Sequence, residues 1–268
     1  MPTFPTPEPI TATIEVVAGS VRLIATDRDD TDVEIRPRDP SRASDVRAAE
    51  QARVDFHNGT LTVTAGRKFI SLGRGGAVHI DIALPSSSRL RASTASADVH
   101  ADGEYSDVRL ASASGAFTVD SVAGRLKADT ASGGMTVRTV KGSAVIASAS
   151  GAASVDALAG DVRFQSASGG LSVGRLDGDV DVQTASGAIT VASGVRGRLS
   201  VQTGSGDIEL GIAAGTAAQL DVRTRSGAVR NSLAATDGPA AGDETMAVRV
   251  RTGSGDITVH RAAVEALS

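Results

Sequence analysis

From Ser96 to Ser186 a serine returns every 18 residues in one short motif, without a slip. The motif reads Ser/Thr-x-Ser-Gly at 112–115, 130–133, 148–151, 166–169 and 184–187, and a weaker copy at 94–97 has Ala97 in place of the glycine. Three further copies centre on Ser205, Ser226 and Ser254, where the spacing stretches to 19, 21 and 28 residues. A fixed period of this size marks a repeat architecture, in which each unit buries its apolar face only by stacking on its neighbours.

Inside the period, apolar residues alternate with polar ones. One inward column reads Phe117, Met135, Ala153, Leu171, Ile189, Ile208, Val229 and Ile257; a second reads Leu126, Ala144, Val162, Val180, Leu199, Leu220 and Val248. Period-2 alternation within a period-18 repeat means two short strands per coil, each paired in parallel with its equivalent ~4.8 Å along the axis. The sequence therefore predicts an all-β, single-stranded parallel β-solenoid (a β-helix), right-handed by the general crossover rule. Outward positions agree with this register: Arg163 falls beside Asp181, and Gln165, Gln183 and Gln202 form one row. The glycine after each serine is expected to bend the chain at positive φ.

Four regions are expected along the chain. Residues 1–66 read as a β-rich cap, with strands over 10–16, 21–25 and 32–36 and a helix over 45–52 capped by Ser44. The cap ends in a hairpin turning at Asn58-Gly59, a pair that tolerates a type I′ turn. Residues 67–76 are a Gly/Arg connector, residues 77–261 the solenoid, and residues 262–268 a tail or second cap. A loop over 236–244 interrupts the stack.

Chemistry is sparse. With no Cys, disulfides, thiolate metal sites and cysteine catalysis are excluded. His57, His79, His100 and His260 share no ligand spacing. Gly170-Leu171-Ser172-Val173-Gly174 matches a serine-hydrolase elbow, but Ser172 stands mid-strand in a column of Thr and Ser. Asp177, Asp179 and Asp181 form a local carboxylate cluster of the type that serves as a weak cation site or acid/base pair, but alternation puts Asp179 and Asp181 on the outer face as solvated charge, and Gly73-Arg74-Gly75-Gly76 lacks the Lys-Ser/Thr of a phosphate loop. The Ser/Thr rows of the turns read as structural hydrogen-bond ladders. No catalytic residue, cofactor or metal is expected.

One Tyr, five Phe and no Trp leave little to stack on sugar rings, and a net charge of −4 exerts no overall pull on nucleic acid. No stretch approaches the ~18 apolar residues of a membrane span. Met1 is followed by neither a basic nor an apolar leader region, so the cytoplasm is the expected compartment.

Several local patterns occur together: Thr6-Pro7-Glu8-Pro9-Ile10, Ala18-Gly19-Ser20-Val21, Thr31-Asp32-Val33-Glu34-Ile35 before Pro37, Ala48-Ala49-Glu50, and recurrent Ser-Gly-x-Ile/Leu-x-Val. In these the chain resembles a bacterial beta-strand-repeat family of unknown function, often called adhesin-like. The resemblance implies a non-catalytic scaffold or interaction protein, with an unspecified protein partner. The competing reading is a carbohydrate-binding or carbohydrate-active β-helix.

Overall fold

The computed structural model describes residues 2–66, 76–235, 238–240 and 242–263. It is nearly all β and forms two compact units, Met1–Val137 and Arg138–Ser268. The first contains β1 (Thr3–Pro5), β2 (Thr11–Thr26), β3 (Asp30–Pro37), α1 (Ala43–Glu50), β4 (Arg53–His57), β5 (Thr60–Ala65), β6 (Val78–Pro85), β7 (Arg89–Tyr105), β8 (Val108–Ser112), β9 (Phe117–Val122) and β10 (Arg125–Thr130). Strand β11 (Met135–Val140) spans the division. The second unit continues with β12 (Ser143–Ser148), β13 (Ala153–Leu158), β14 (Asp161–Ser166), β15 (Leu171–Asp177), β16 (Val180–Ser186), β17 (Ile189–Ser205), β18 (Ile208–Ile212), β19 (Thr216–Ser226), β20 (Val229–Asn231), β21 (Glu244–Ser254) and β22 (Ile257–Arg261).

In the first unit, β8 and β9 pair in parallel with the two halves of β7, and β10 pairs with β8 at a shift of 18 residues. The halves of β7 pair in turn with the halves of β2, and β2 pairs on its far side with β5 and β6. The stack therefore begins earlier than residue 77: β2 and β5 are coil strands, and only β1, β3, β4 and α1 lie outside the coils. Inward columns such as Leu61, Ala12, Leu90, Val108 and Leu126 are at most 1% exposed.

The outermost coil of this unit is β5–β6, and both of its edges are covered. Strand β4 runs antiparallel to β5 and β3 antiparallel to β6, while β1 pairs with β3 and stacks Phe4 on Phe56 at 5.2 Å. Asn58 and Gly59 make the expected tight turn, with φ of 47° and 69°. The helix begins two residues earlier than its pattern suggests, and Ser44 lies inside it instead of capping it. Asp45 is buried, and its carboxylate accepts the backbone N–H groups of Asp39 and Ala77, which ties α1 to the ends of β3 and β6. The connector residues 67–75 lie outside the described residues.

In the second unit, β12, β14, β16 and β17 pair successively in parallel, as do β13, β15, β17 and β18. Gln165, Gln183 and Gln202 stand in register, as expected. The sequence columns fail at one point. Leu199 pairs with Val248, and Val248 pairs with Leu220; likewise Ile208 pairs with Ile257, and Ile257 with Val229. The last coil in sequence, β21–β22, thus inserts beneath the one before it, β19–β20. Of the loop expected over 236–244, residues 236, 237 and 241 lie outside the described residues. The segment 262–268 is described only to Ala263, where Ala262 donates its N–H to the Ile212 carbonyl.

The corner motif now has a physical account. In the strict repeats the N–H of Gly115, Gly133, Gly151 and Gly169 donates to the Oγ of the Ser or Thr three residues back, at 2.7–3.0 Å. The central serine donates to a carbonyl one coil earlier, as Ser114 does to Ala95 and Ser132 to Ala113. At these four positions the glycine is not at positive φ, contrary to the sequence expectation, which holds only at the later corners. A Cβ on Gly133 would sit 1.9 Å from the Gly115 carbonyl oxygen, so close approach of the coils excludes a side chain. From Gly187 onward the corner changes: Gly187, Gly206, Gly227 and Gly255 have φ of 157°, 138°, 146° and 127°, and Thr184, Thr203 and Thr252 donate to serine carbonyls instead.

Two outcomes test this register. Val155 is fully buried opposite Val173 while Asp156 is exposed, so Val155→Asp should abolish cooperative folding and Asp156→Ser should leave the melting temperature within a degree or two. Gly133→Ala should cost about 2 kcal/mol or more in denaturant unfolding, because the carbonyl it meets is backbone and cannot swing aside.

Candidate functional site

The carboxylates that looked chemically suggestive are spent on the stack. Asp177 pairs with Arg196, Asp179 accepts the Arg198 backbone N–H at 2.8 Å, and Asp181 lies 3.8 Å from the Arg163 guanidinium. Each has its own partner one coil away, and the three do not converge. The Asp179 contact recurs through both units. Asp98 accepts from Ala116 N–H, Asp107 from Arg125 N–H, Asp207 from Asp256 N–H and Asp256 from Ala228 N–H, all at 2.8–2.9 Å. An aspartate thus satisfies the first N–H of the adjoining coil at a corner where the ladder is interrupted. The signal was legible as Asp just before successive strands, but its meaning depends on the inter-coil spacing.

The remaining candidates are dispersed. Ser172 pairs with Ser154 and Thr190 in adjacent strands, as its column implies. His79 contacts the Ser20 hydroxyl, and His260 lies near Glu209. No group of three or more metal-ligating side chains converges among the described residues. Tyr105 is fully buried, and burial, reinforced by Asp102 and Asp120, pushes its phenol well above the usual value. It stays protonated and donates to the Asp102 carbonyl at 3.3 Å. Residues 73–75 of the glycine-rich connector lie outside the described residues.

What the first unit does assemble is a row of cations. Registers place Thr13, Arg91, Arg109 and Lys127 on successive rungs of one outer face, with Glu15, Ser93, Ala111 and Asp129 in the next column. Ser93 and Ala111 are small, so the second column sinks between its two acidic ends. The result is a shallow groove of about 240 Å³ running beside the cationic row. Lys127 has Asp129 at 3.6 Å, and Arg89, at the edge of the same face, has Asp107 at 3.7 Å. Among the described residues Arg91 and Arg109 have no ion-pair partner. Like charges directly opposite each other on a sheet destabilise it. Two of them ~5 Å apart repel by roughly 0.8 kcal/mol even in water. An anion lying along the groove reverses that sign. The alternation pattern marked these positions as outward, but it did not mark them as one unpaired row.

A family model described as Toastrack DUF4097 matches residues 12–260. The chain belongs to that family, whose function is unknown, in agreement with its resemblance to a beta-strand-repeat family. No curated protein matches. Among solved structures it is similar to a candidate adhesin of Bacteroides fragilis, with 11% identity over 97% of this chain and 95% of that one and a TM-score of 0.49. It is also similar to a candidate adhesin of Parabacteroides distasonis, with 11% identity, coverage of 96% and 95% and a TM-score of 0.39. Scores below one half transfer nothing about ligand or activity. No described helix is long and apolar enough to cross a membrane.

One corner aspartate, Asp256, predicts an acid response. The Ala228 N–H, then Arg230, hold the Asp256 carboxyl below its ordinary value. A depressed carboxylate contributes stability that is present above the unfolded pKa and lost as pH falls through the folded one, here below about 4. Wild type should therefore lose melting temperature as the pH drops below that value. Asp256→Ala should melt lower at neutral pH and lose less on acidification. Parallel pH profiles for the two proteins would show that Asp256 makes no such contribution.

Proposed function

We propose that the chain is a non-catalytic β-solenoid interaction module. Its contact surface is the cationic face of the first unit, and its ligand class is a linear acidic polymer bearing carboxylate, sulfate or phosphate groups. The observation that carries this reading is the pair Arg91 and Arg109, stacked on neighbouring rungs beside a groove and without an ion-pair partner among the described residues. Guanidinium groups bind such anions through paired, charge-assisted hydrogen bonds. A row of them at rung spacing suits repeated charges along a chain better than one small ion.

Two features weigh against the enzymatic alternative. The carboxylates that could act as acid or base are bound to backbone N–H groups or arginines of adjoining coils. The groove is open and shallow, so it offers no means of excluding water from a reacting bond. Neutral sugars are also poorly served, because the groove has no aromatic lining residue; charge is the handle that remains.

Retention on immobilised heparin and polygalacturonate at low salt tests the proposal. Wild type should bind and elute as salt screens the contact. Arg91→Gln combined with Arg109→Gln should weaken binding at least tenfold with an unchanged melting temperature, and Arg175→Gln in the second unit should bind as wild type does. Equal retention of all three, or no retention of wild type on either matrix, would remove this face as the ligand site.

A further inference from the structure

We infer that the open coil β19–β20 of the second unit is a self-association surface, and that its occupant is β19 of a second copy, paired antiparallel about a two-fold axis at Val222. The starting observation is a core cut open. In the coil beneath, Val248, Val250, Ile257 and Val259 are at most 3% exposed. Their equivalents in the outer coil, Leu220, Val222 and Val229, are only partly covered, and Val229 is 45% exposed. Among the described residues β19 pairs only with β21, and β20 only with β22, so each presents an unpaired ladder of N–H and C=O groups. Exposed apolar side chains beside an unpaired edge are the combination that recruits another strand.

The occupant follows from charge and register. Along β19, Leu220 and Val222 face the core, while Gln219, Asp221, Arg223 and Arg225 face out. In an antiparallel self-pairing centred on Val222, Asp221 of each copy lies opposite Arg223 of the other, Leu220 opposite Thr224, and Gln219 opposite Arg225. Sliding by one residue sets core-facing positions against outward ones and is forbidden by the pleat. Sliding by two sets either Asp221 against Asp221 or Arg223 against Arg223. Only the Val222-centred register matches both apolar faces and both signs of charge. Within the chain Arg223 already leans on Asp221 at 3.1 Å but stands beside Arg251 on the next rung, so a second carboxylate relieves a like-charge neighbour.

On the outermost coil of the first unit, β5 and β6 are already paired by β4 and β3. Those coil strands are therefore closed to a second copy, and a two-fold pairing of β19 with itself uses up both edges, so the expected product is a closed dimer and not a filament.

Sedimentation velocity on the full chain tests the inference. Wild type should be dimeric at micromolar concentration. Asp221→Arg alone and Arg223→Asp alone should each weaken the dimer at least tenfold, and the double exchange should restore it, with circular dichroism confirming that all three fold. Because the chain has no Cys, Val222→Cys should oxidise readily to a disulfide dimer, whereas Gln219→Cys, facing Arg225, should not. A monomeric wild type, or failure of the double exchange to restore association, overturns the proposal. So does a monomer that dimerises only when residues 264–268 are deleted, since the chain's own end would then be the cover.

Discussion

Everything in this protein depends on how closely one coil lies on the next. Parallel ladders fix the spacing near 4.8 Å, and at the corners, where the chain turns between faces, backbone meets backbone with no room for a side chain. Gly133 shows the constraint directly, because an added methyl would overlap the Gly115 carbonyl. The same spacing explains the rest of the motif. A hydroxyl three residues before the glycine takes up its N–H, and the central serine ties the corner to the coil below. The motif is thus a device for packing corners, and its regularity reflects geometry and not a ligand.

Each unit has a terminal coil, and the two terminal coils are treated differently. At each end the coil that comes later or earlier in sequence is threaded beneath its neighbour: β2 lies under β5–β6, and β21–β22 under β19–β20. Threading requires a connection long enough to step across a coil. At the first end the connection is itself structured, as β3, α1 and β4, and it covers both open edges. At the second end the connection is the short stretch after Asn231, and β19 and β20 keep free edges among the described residues. A fold that covers one terminal coil so fully and leaves the other bare is asymmetric in what it can recruit.

The coil architecture was legible because it repeats: every copy of the 18-residue unit is an independent reading of the same pattern, so the inward columns through β12 to β18 emerge in the right register. Spatial order was not legible where it departs from sequence order. Leu220 and Val248 have the same alternation, and nothing in either segment says which lies nearer Leu199; the 28-residue spacing before Ser254 signals a longer connection but not where it leads. Ser44 shows a local failure. It is a good capping residue by type, yet the helix starts at Ala43 because Asp45 is drawn inward to bind two backbone N–H groups from other segments. The role of the corner aspartates was hidden for a similar reason, since their partners lie 18 or more residues away in the chain.

The distribution of satisfied and unsatisfied polar groups narrows the surface that remains available. Turn hydroxyls bind backbone, corner carboxylates bind backbone, and no buried side-chain polar atom among the described residues lacks a partner. A chain that commits its Ser, Thr and Asp so completely to holding coils together has few acceptors left to present. On the first unit Arg91 and Arg109, without an ion-pair partner among the described residues, stand on neighbouring rungs where mutual repulsion works against the sheet. Repeats ordinarily avoid that arrangement, as Arg163 beside Asp181 does. In the second unit the same column reads Val145, Arg163, Asp181, Ser200, Arg249 and Asp221, with no two like charges on neighbouring rungs. That difference in the column is why the proposed anion-binding face belongs to the first unit, while the proposed self-association edge belongs to the second.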